Sequence, residues 1–156
     1  MTDARLRPGR PDDADALALV LRSATKDAMP WLPNVHTPEE DRAFLRDVVL
    51  AHDEVRVAEE DGVVVGFAAV GVRDGEDFLQ HLYVAPAFQG RGIGDALFAK
   101  AKRLRPNGLK WWVFQRNERA RGFYERRGAV VVELTDGSAC EEKTPDALYE
   151  WRPRPA

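Results

Sequence analysis

Hydrophobic positions along the chain change their period several times, and each change marks an element. Leu17, Val20, Leu21 and Ala24 recur at the i, i+3, i+4, i+7 spacing of one helical face, behind an Asp12-Asp13 pair that can cap it. A short strand, Arg5-Leu6-Arg7, precedes this helix and is ended by Pro8-Gly9 and Pro11. Two prolines in Met29-Pro30-Trp31-Leu32-Pro33 forbid helix there. Thr37-Pro38-Glu39-Glu40 then forms a capping box with proline at the first helical position, predicting a second helix to about Leu50. Beyond it the period falls to two. Glu54 to Glu59 alternates, Asp61-Gly62 supplies a hairpin turn, Val63 to Val70 continues as a more buried strand, and Asp74-Gly75 turns the chain into Phe78 to Val84. Three consecutive antiparallel strands are expected.

Helical spacing returns in Ile93, Leu97, Ala101 and Leu104, predicting a third helix from about Gly92 to Leu104 that stops at Pro106-Asn107-Gly108. A strand from Leu109 to Phe114 follows. Asn117 is positioned to cap a helix carrying Ala120, Phe123 and Tyr124, with Gly128 as its terminator, before strands at Ala129 to Leu134 and Ala147 to Trp151. The order is β-α-α-β-β-β-α-β-α-β-β, an α/β (α+β) arrangement. Between the strand His81-Leu82-Tyr83-Val84 and the third helix lies Gln89-Gly90-Arg91-Gly92-Ile93-Gly94. Alternate glycines let the backbone bend tightly and approach a ligand, and the helix start aims free N–H groups and its positive dipole end at the same place. An anionic cofactor is the first inference.

Composition narrows the partner. The 156 residues, 44% hydrophobic, suit one domain over residues 1–156. With 23 basic and 26 acidic residues the net charge is −3, which disfavours a nucleic-acid binder that relies on phosphate neutralisation. Cys140 is the sole cysteine, excluding an intramolecular disulfide and any CxxC-type metal or redox motif, so a reducing cytoplasm is expected. Met1-Thr2-Asp3-Ala4-Arg5 has no apolar core of a leader, and no stretch approaches the ~20 apolar residues of a membrane span, so no membrane partner is expected.

The order of elements and the glycine turn resemble the GNAT superfamily of acyl-CoA-dependent N-acyltransferases. Gln89 to Gly94 matches that family's Q/R-x-x-G-x-G/A motif in full, preceded by Val84-x-Pro86. The second family motif is present as Asn117, Ala120, Phe123-Tyr124-Glu125 and Gly128, and the likeness runs from Arg5-Leu6-Arg7-Pro8 to Pro145-Asp146, loosely before Val55. A dinucleotide-binding fold would instead place G-x-G-x-x-G in an N-terminal βαβ unit, whereas here G-x-G-x-G follows an antiparallel meander.

The resemblance implies a GNAT fold, with a mixed, mostly antiparallel seven-stranded sheet splayed between strands four and five and flanked by about four helices. It implies an N-acetyltransferase that passes an acetyl group from acetyl-CoA to a primary amine by direct attack in a ternary complex. Gln89, Gly90, Arg91, Gly92, Ile93, Gly94 and Asp95 then bind the coenzyme A pyrophosphate, chiefly through their amides. Arg91 is the arginine expected at the phosphates, ahead of Arg119 and Arg121. A bulged fourth strand offers unpaired backbone groups of Leu82, Tyr83 and Val84 to the pantetheine arm and the thioester carbonyl. Asn117 contacts the same arm or serves only as a helix cap, and Tyr124 donates a proton to the departing thiolate or only packs with Phe123.

The general base is less defined. Relatives carry a carboxylate or histidine on the fourth strand, where this chain offers His81, a packed histidine being the alternative; Gln80 cannot act as a base, and Trp112 stands where some relatives place a glutamate. Ordered water or an acid of the loop Asp136 to Glu142 is the substitute, and Cys140 in that loop is incidental. Trp31, His36, Gln80 and Glu141 are expected along the acceptor pocket, acids there favouring a cationic amine. A small-molecule amine is the expected acceptor, a protein N-terminus or lysine is one alternative, a catalytically silent acyl-CoA-binding module is another, and a homodimer stays open.

Overall fold

In the computed structural model, which describes residues 3–155, the strands β1 (Arg5–Pro8), β2 (Glu54–Glu60), β3 (Val63–Arg73), β4 (Glu76–Val84), β5 (Leu109–Phe114), β6 (Val130–Leu134) and β7 (Asp146–Trp151) form one sheet. Met1 and Thr2 of the N-terminal stretch, and Ala156, lie outside the described residues. The strand order is β1-β2-β3-β4-β5-β7-β6. All neighbouring pairs are antiparallel except β4 and β5, which run parallel. This is the mixed, mostly antiparallel sheet expected of a GNAT fold.

Helix α1 (Ala14–Ala28) and helix α2 (Pro38–Phe44), which continues through a π-helical turn at Leu45–Val49 to Leu50–His52, cover one face. Leu17, Val20, Leu45, Val49, Val57 and Phe67 form the core on that side. Helix α3 (Ile93–Leu104) and helix α4 (Glu118–Glu125) cover the other face, where Val65, Leu97, Phe98, Trp111, Tyr124 and Tyr149 pack. The predicted hairpin turns hold, with Asp61 and Asp74 both left-handed, but β3 runs on to Arg73 and β4 starts at Glu76, so the second hairpin is longer than its apolar run suggests. Thr37 accepts from the Glu40 amide and Glu40 accepts from the Thr37 amide, completing the predicted capping box.

The parallel pair opens the sheet. It contains one matched position, Phe78 with Lys110, after which the strands diverge. The register of β3 against β4 shifts at the same level, Ala69 opposing His81 and Val70 opposing Leu79, so Gln80 is the extra residue of a bulge. A bulge bends and twists its strand, and here it carries Leu82, Tyr83 and Val84 away from β5 while they stay paired with Ala68, Phe67 and Gly66 of β3. At Gly66 a Cβ would stand 2.8 Å from the Tyr83 carbonyl oxygen, so glycine is what lets β3 follow the bent strand closely.

One local expectation is revised. Asp13 does not cap α1 through its side chain. Its carboxylate, only 7% exposed, accepts both terminal nitrogens of Arg7 at 2.9 Å and the Arg10 amide at 2.7 Å. The buried acid thus fastens the end of β1 to the start of α1, and the Arg7 guanidinium holds its pKa below the usual carboxylate value. Replacement by alanine removes this junction and leaves Arg7 with Glu59 as its acid partner, and is expected to cost about 1–3 kcal/mol, read from urea unfolding at neutral pH. Because the folded pKa is depressed, this contribution is complete above the unfolded carboxylate pKa and disappears as pH falls through the folded one, so the wild type and Asp13→Ala should converge in acid.

Candidate functional site

From Val84 the chain passes through a single 3₁₀ turn at Pro86–Phe88, then Gln89 to Gly92, and enters α3. Gly90 and Gly92 have φ of 78° and 86°, the left-handed conformation that side chains resist, and Gly92 is the N-cap of α3. A Cβ at either position would meet nothing within 4 Å, so conformation alone demands glycine. Gly94 differs: it lies in the helix, and a Cβ there would reach the Phe123 ring at 3.6 Å, an ordinary contact. The first α3 bond runs from the Ala96 amide to the Gly92 carbonyl, which leaves the amides of Ile93, Gly94 and Asp95 without helical partners, as at any helix start.

Gln89 joins this turn to both walls of the splay. Its Nε2 donates to the Val84 carbonyl at 2.9 Å, and its Oε1 accepts from Arg119 of α4. Beneath it lies a cavity of about 400 Å³. Leu82, Tyr83 and Val84 line it from β4, Gln89, Gly90, Gly92, Gly94 and Asp95 from the turn and α3, and Asn117 and Tyr124 from the α4 side. Residues scattered over forty positions of sequence therefore meet on one surface. Ile93 is instead core at 1% exposure, with only its backbone at the turn, and Arg91 is turned to Glu60 at 3.4 Å and to the Phe88 ring, outside the cavity lining.

Several further lining residues, Arg119 apart, carried no functional signal in the sequence. Ala24, Thr25, Ala28 and Met29 close the cavity from the end of α1, and Arg119, Arg126 and Arg127 stand on its α4 side. Arg127 pairs with Asp95, and Arg119 lies 3.8 Å from Asp27, whereas Arg126 makes no ion pair among the described residues. Arg121 is directed away, its Nε donating to the Tyr149 hydroxyl at 2.9 Å.

Asn117 does cap α4, accepting from the Ala120 amide at 3.2 Å, while its residue also borders the cavity. Tyr124 is 8% exposed and wedged among Phe98, Trp111, Phe123 and Tyr149, with ring centroids 4.9 to 6.3 Å away. Burial raises its pKa, so the phenol stays protonated, and its hydroxyl has no protein partner among the described residues. Burial also pushes Tyr83 up to about 12.

The other expected residues lie apart from this cavity. His81 is walled by Phe44, Phe67 and Tyr83 on the α1–α2 face, desolvation pushes its pKa down to about 4, and its buried Nδ1 has no partner. Gln80 is the bulge residue. Trp31 packs edge-on to Phe114 at 6.5 Å beneath the Arg116 guanidinium at 4.7 Å. Glu141 sits 2.6 Å from His36 Nε2, and the Cys140 thiol turns inward to the Gly137 and Thr144 carbonyls.

Similarity to known proteins agrees with this geometry. A family model described as an acetyltransferase (GNAT) domain matches residues 51–128, from the end of α2 through α4. The peptidyl-lysine N-acetyltransferase YiaC of Escherichia coli (strain K12) is 38% identical over 108 residues, spanning 69% of this chain and 70% of YiaC. Two solved structures share the fold across nearly the whole chain. One is the PaiA N-acetyltransferase of Thermoplasma acidophilum in complex with coenzyme A, with a TM-score of 0.76 and 19% identity over 97% of this chain and all of that one. The other is a GCN5-related N-acetyltransferase of Rhodopseudomonas palustris, with a TM-score of 0.78 and 21% identity over 98% of each chain. The chain belongs to the GNAT family of N-acetyltransferases, acyltransferases that use acetyl-CoA. No described helix is long and apolar enough to cross a membrane.

The two glycines beside the cavity make a paired prediction. Gly92→Ala forces a side chain into the left-handed region and is expected to lower stability by about 1–2 kcal/mol. Gly94→Ala adds a helix-favouring residue with ordinary contacts and is expected to be neutral or stabilising by up to ~1 kcal/mol. Thermal unfolding of the two variants side by side decides it, and equal losses would contradict the assignment of strain to Gly92.

Proposed function

We propose that the cavity between β4 and α4 is the acetyl-CoA site and that Tyr124 serves the leaving sulfur there. The observation that carries this reading is the convergence of the β4 segment, the glycine turn and Tyr124 on one cavity at the splay. The cavity fits the group: free helix-start amides and the unpaired Arg126 suit phosphate, and the mainly apolar interior of the splay suits a thioester arm. When bound, acetyl-CoA supplies an activated acetyl group whose carbonyl carbon accepts the amine as its bond to sulfur breaks. The β5-facing edge of Leu82 to Val84 has no strand partner and can donate to a carbonyl oxygen. Tyr124, held protonated by burial, donates its hydroxyl hydrogen to the departing sulfur, and its raised pKa favours a strong hydrogen bond over complete proton transfer.

His81 is read as a neutral packed ring. Its pKa near 4 lies about six units below that of an alkylammonium, so taking a proton from the protonated amine would cost roughly 8–9 kcal/mol. The amine therefore reaches the site neutral, having lost its first proton to solvent, and the second, shed by the nitrogen as the C–N bond forms and the C–S bond breaks, goes to solvent or to the released sulfur, which leaves as the thiol.

The acceptor in this reading is a primary amine. A lysine side chain of a protein is favoured over the small molecule expected from the sequence, because YiaC, a peptidyl-lysine acetyltransferase, is the sequence relative at 38% identity. A thiol-release comparison of blocked lysine peptides with small amines, acetyl-CoA held constant, tests the preference. Higher kcat/KM for every small amine would reverse it.

Tyr124→Phe keeps the ring packing and removes only the donor, so kcat should fall roughly ten- to a thousandfold with acetyl-CoA binding preserved. Unchanged turnover would reject the role. In the wild type, kcat/KM for the amine should rise with pH until the acceptor's own pKa, with no plateau set by His81.

A further inference from the structure

The loop 135–145 between β6 and β7 is folded on itself. Cys140 bonds the Gly137 and Thr144 carbonyls, Lys143 Nζ donates to the Ser138 carbonyl at 2.8 Å, and Gln115 Nε2 pins the loop base through the Thr135 and Asp146 carbonyls at 2.8 and 2.9 Å. Gly137 packs against the backbone of Thr144 so closely that a Cβ would stand 2.2 Å from it. The loop is thus a preformed unit. Among the described residues, one polar contact joins it to the α1–α2 side of the molecule: His36 Nε2 to Glu141 Oε2, 2.6 Å across 105 positions of sequence.

The His36 side of that contact is equally built. Arg22 of α1 reaches Asp41 at 2.6 Å and the His36 carbonyl at 3.3 Å, and the Thr37 capping box fixes the start of α2 one residue later. Tyr83 borders the cavity from β4, and the charges of Glu142 from the loop and Asp41 from α2 add to burial in raising its pKa. Its side chain lies on the α1–α2 face of β4, opposite the face on which Tyr124 packs.

We infer that the His36–Glu141 contact is a clasp that positions loop 135–145 against α2 and so sets the entrance by which the amine reaches Tyr83 and the cavity. The inference rests on the proposed amine-acceptor function. His36 and Glu141 are positioning residues in it, touching neither the acetyl donor nor the reacting atoms. The groups acting on the His36 ring are Glu141 of the loop and Glu40 and Asp41 of α2, all acidic, while Arg22 meets only its backbone carbonyl. Their combined effect, led by Glu141, raises the His36 pKa. A raised pKa makes the clasp complete below the ordinary histidine range and loosens it as pH rises through the folded value.

Steady-state thiol release with an Nα-blocked peptide containing one lysine tests this. His36→Ala and Glu141→Ala should each raise KM for the peptide roughly two- to fivefold near pH 6.5, the scale of an exposed ion pair, with kcat and KM for acetyl-CoA within about twofold of wild type. The difference should vanish near pH 9. His36→Lys, which keeps its charge there, should retain a low peptide KM at both pH values. Peptide KM values equal to wild type near pH 6.5, or raised equally at both pH values, would overturn the clasp alone. Release with neither the peptide nor n-butylamine, alongside intact coenzyme A binding, would overturn the acceptor reading and the clasp with it.

Discussion

Once β4 and β5 part beyond the Phe78–Lys110 pair, one edge of Leu82, Tyr83 and Val84 carries hydrogen-bonding groups that no strand satisfies. Leaving such groups buried and unpaired costs about 1–3 kcal/mol each, so an opened sheet is stable only where something else occupies the gap. Gln89 answers for the Val84 carbonyl. The aromatic wedge of Phe98, Trp111, Tyr124 and Tyr149 keeps the gap from closing by filling the space under it with rings that cannot be compressed. The remaining strand edge is available to a ligand.

The same opening explains why local charge matters more than the total. A net charge of −3 says nothing against an anion site when Arg119, Arg126 and Arg127 stand at one cavity wall and a helix start faces it. Two of those arginines are held by acids, Arg119 near Asp27 and Arg127 on Asp95, and a bound phosphate would have to compete with them. Arg126 carries no such competitor among the described residues. The left-handed glycines extend this economy of side chains, since the turn presents backbone amides where any Cβ-bearing residue would be strained.

Most of the fold was legible in sequence, because its elements are announced by local rules: the Thr37 capping box, two Asp-Gly hairpins, the Asn117 cap and the glycine turn all occur where expected. The lining of the cavity from β4, the turn and Asn117 and Tyr124 was legible for the same reason, its residues being clustered in motifs. Where sequence reading failed, the deciding contact was distant or depended on phase. Asp13 is satisfied by Arg7 across a strand-to-helix junction and so does not cap. Thr25 and Met29 border the cavity only because α1 happens to end there, a fact no motif encodes. His81 obeys strand alternation, which places it with Phe67 and away from Tyr124.

Alternation also gives Tyr83 its particular standing. Its backbone belongs to the unpaired edge of β4, while its side chain points to the α1–α2 face, where Thr25, Asp41 and Glu142 act on its phenol. Tyr83 therefore sets its backbone on the opened edge and its side chain among the α1–α2 core, an arrangement that depends on the extra residue before it. Losing the extra residue, a one-residue slip of register beyond the bulge, would exchange the faces of the side chains that follow it, turning Tyr83 toward the face of Tyr124 and Leu82 toward the α1–α2 face. The extra residue at Gln80 is thus a constraint on both faces of β4, although His36 and Glu141, which meet beyond the α1–α2 face, lie more than forty positions away in either direction.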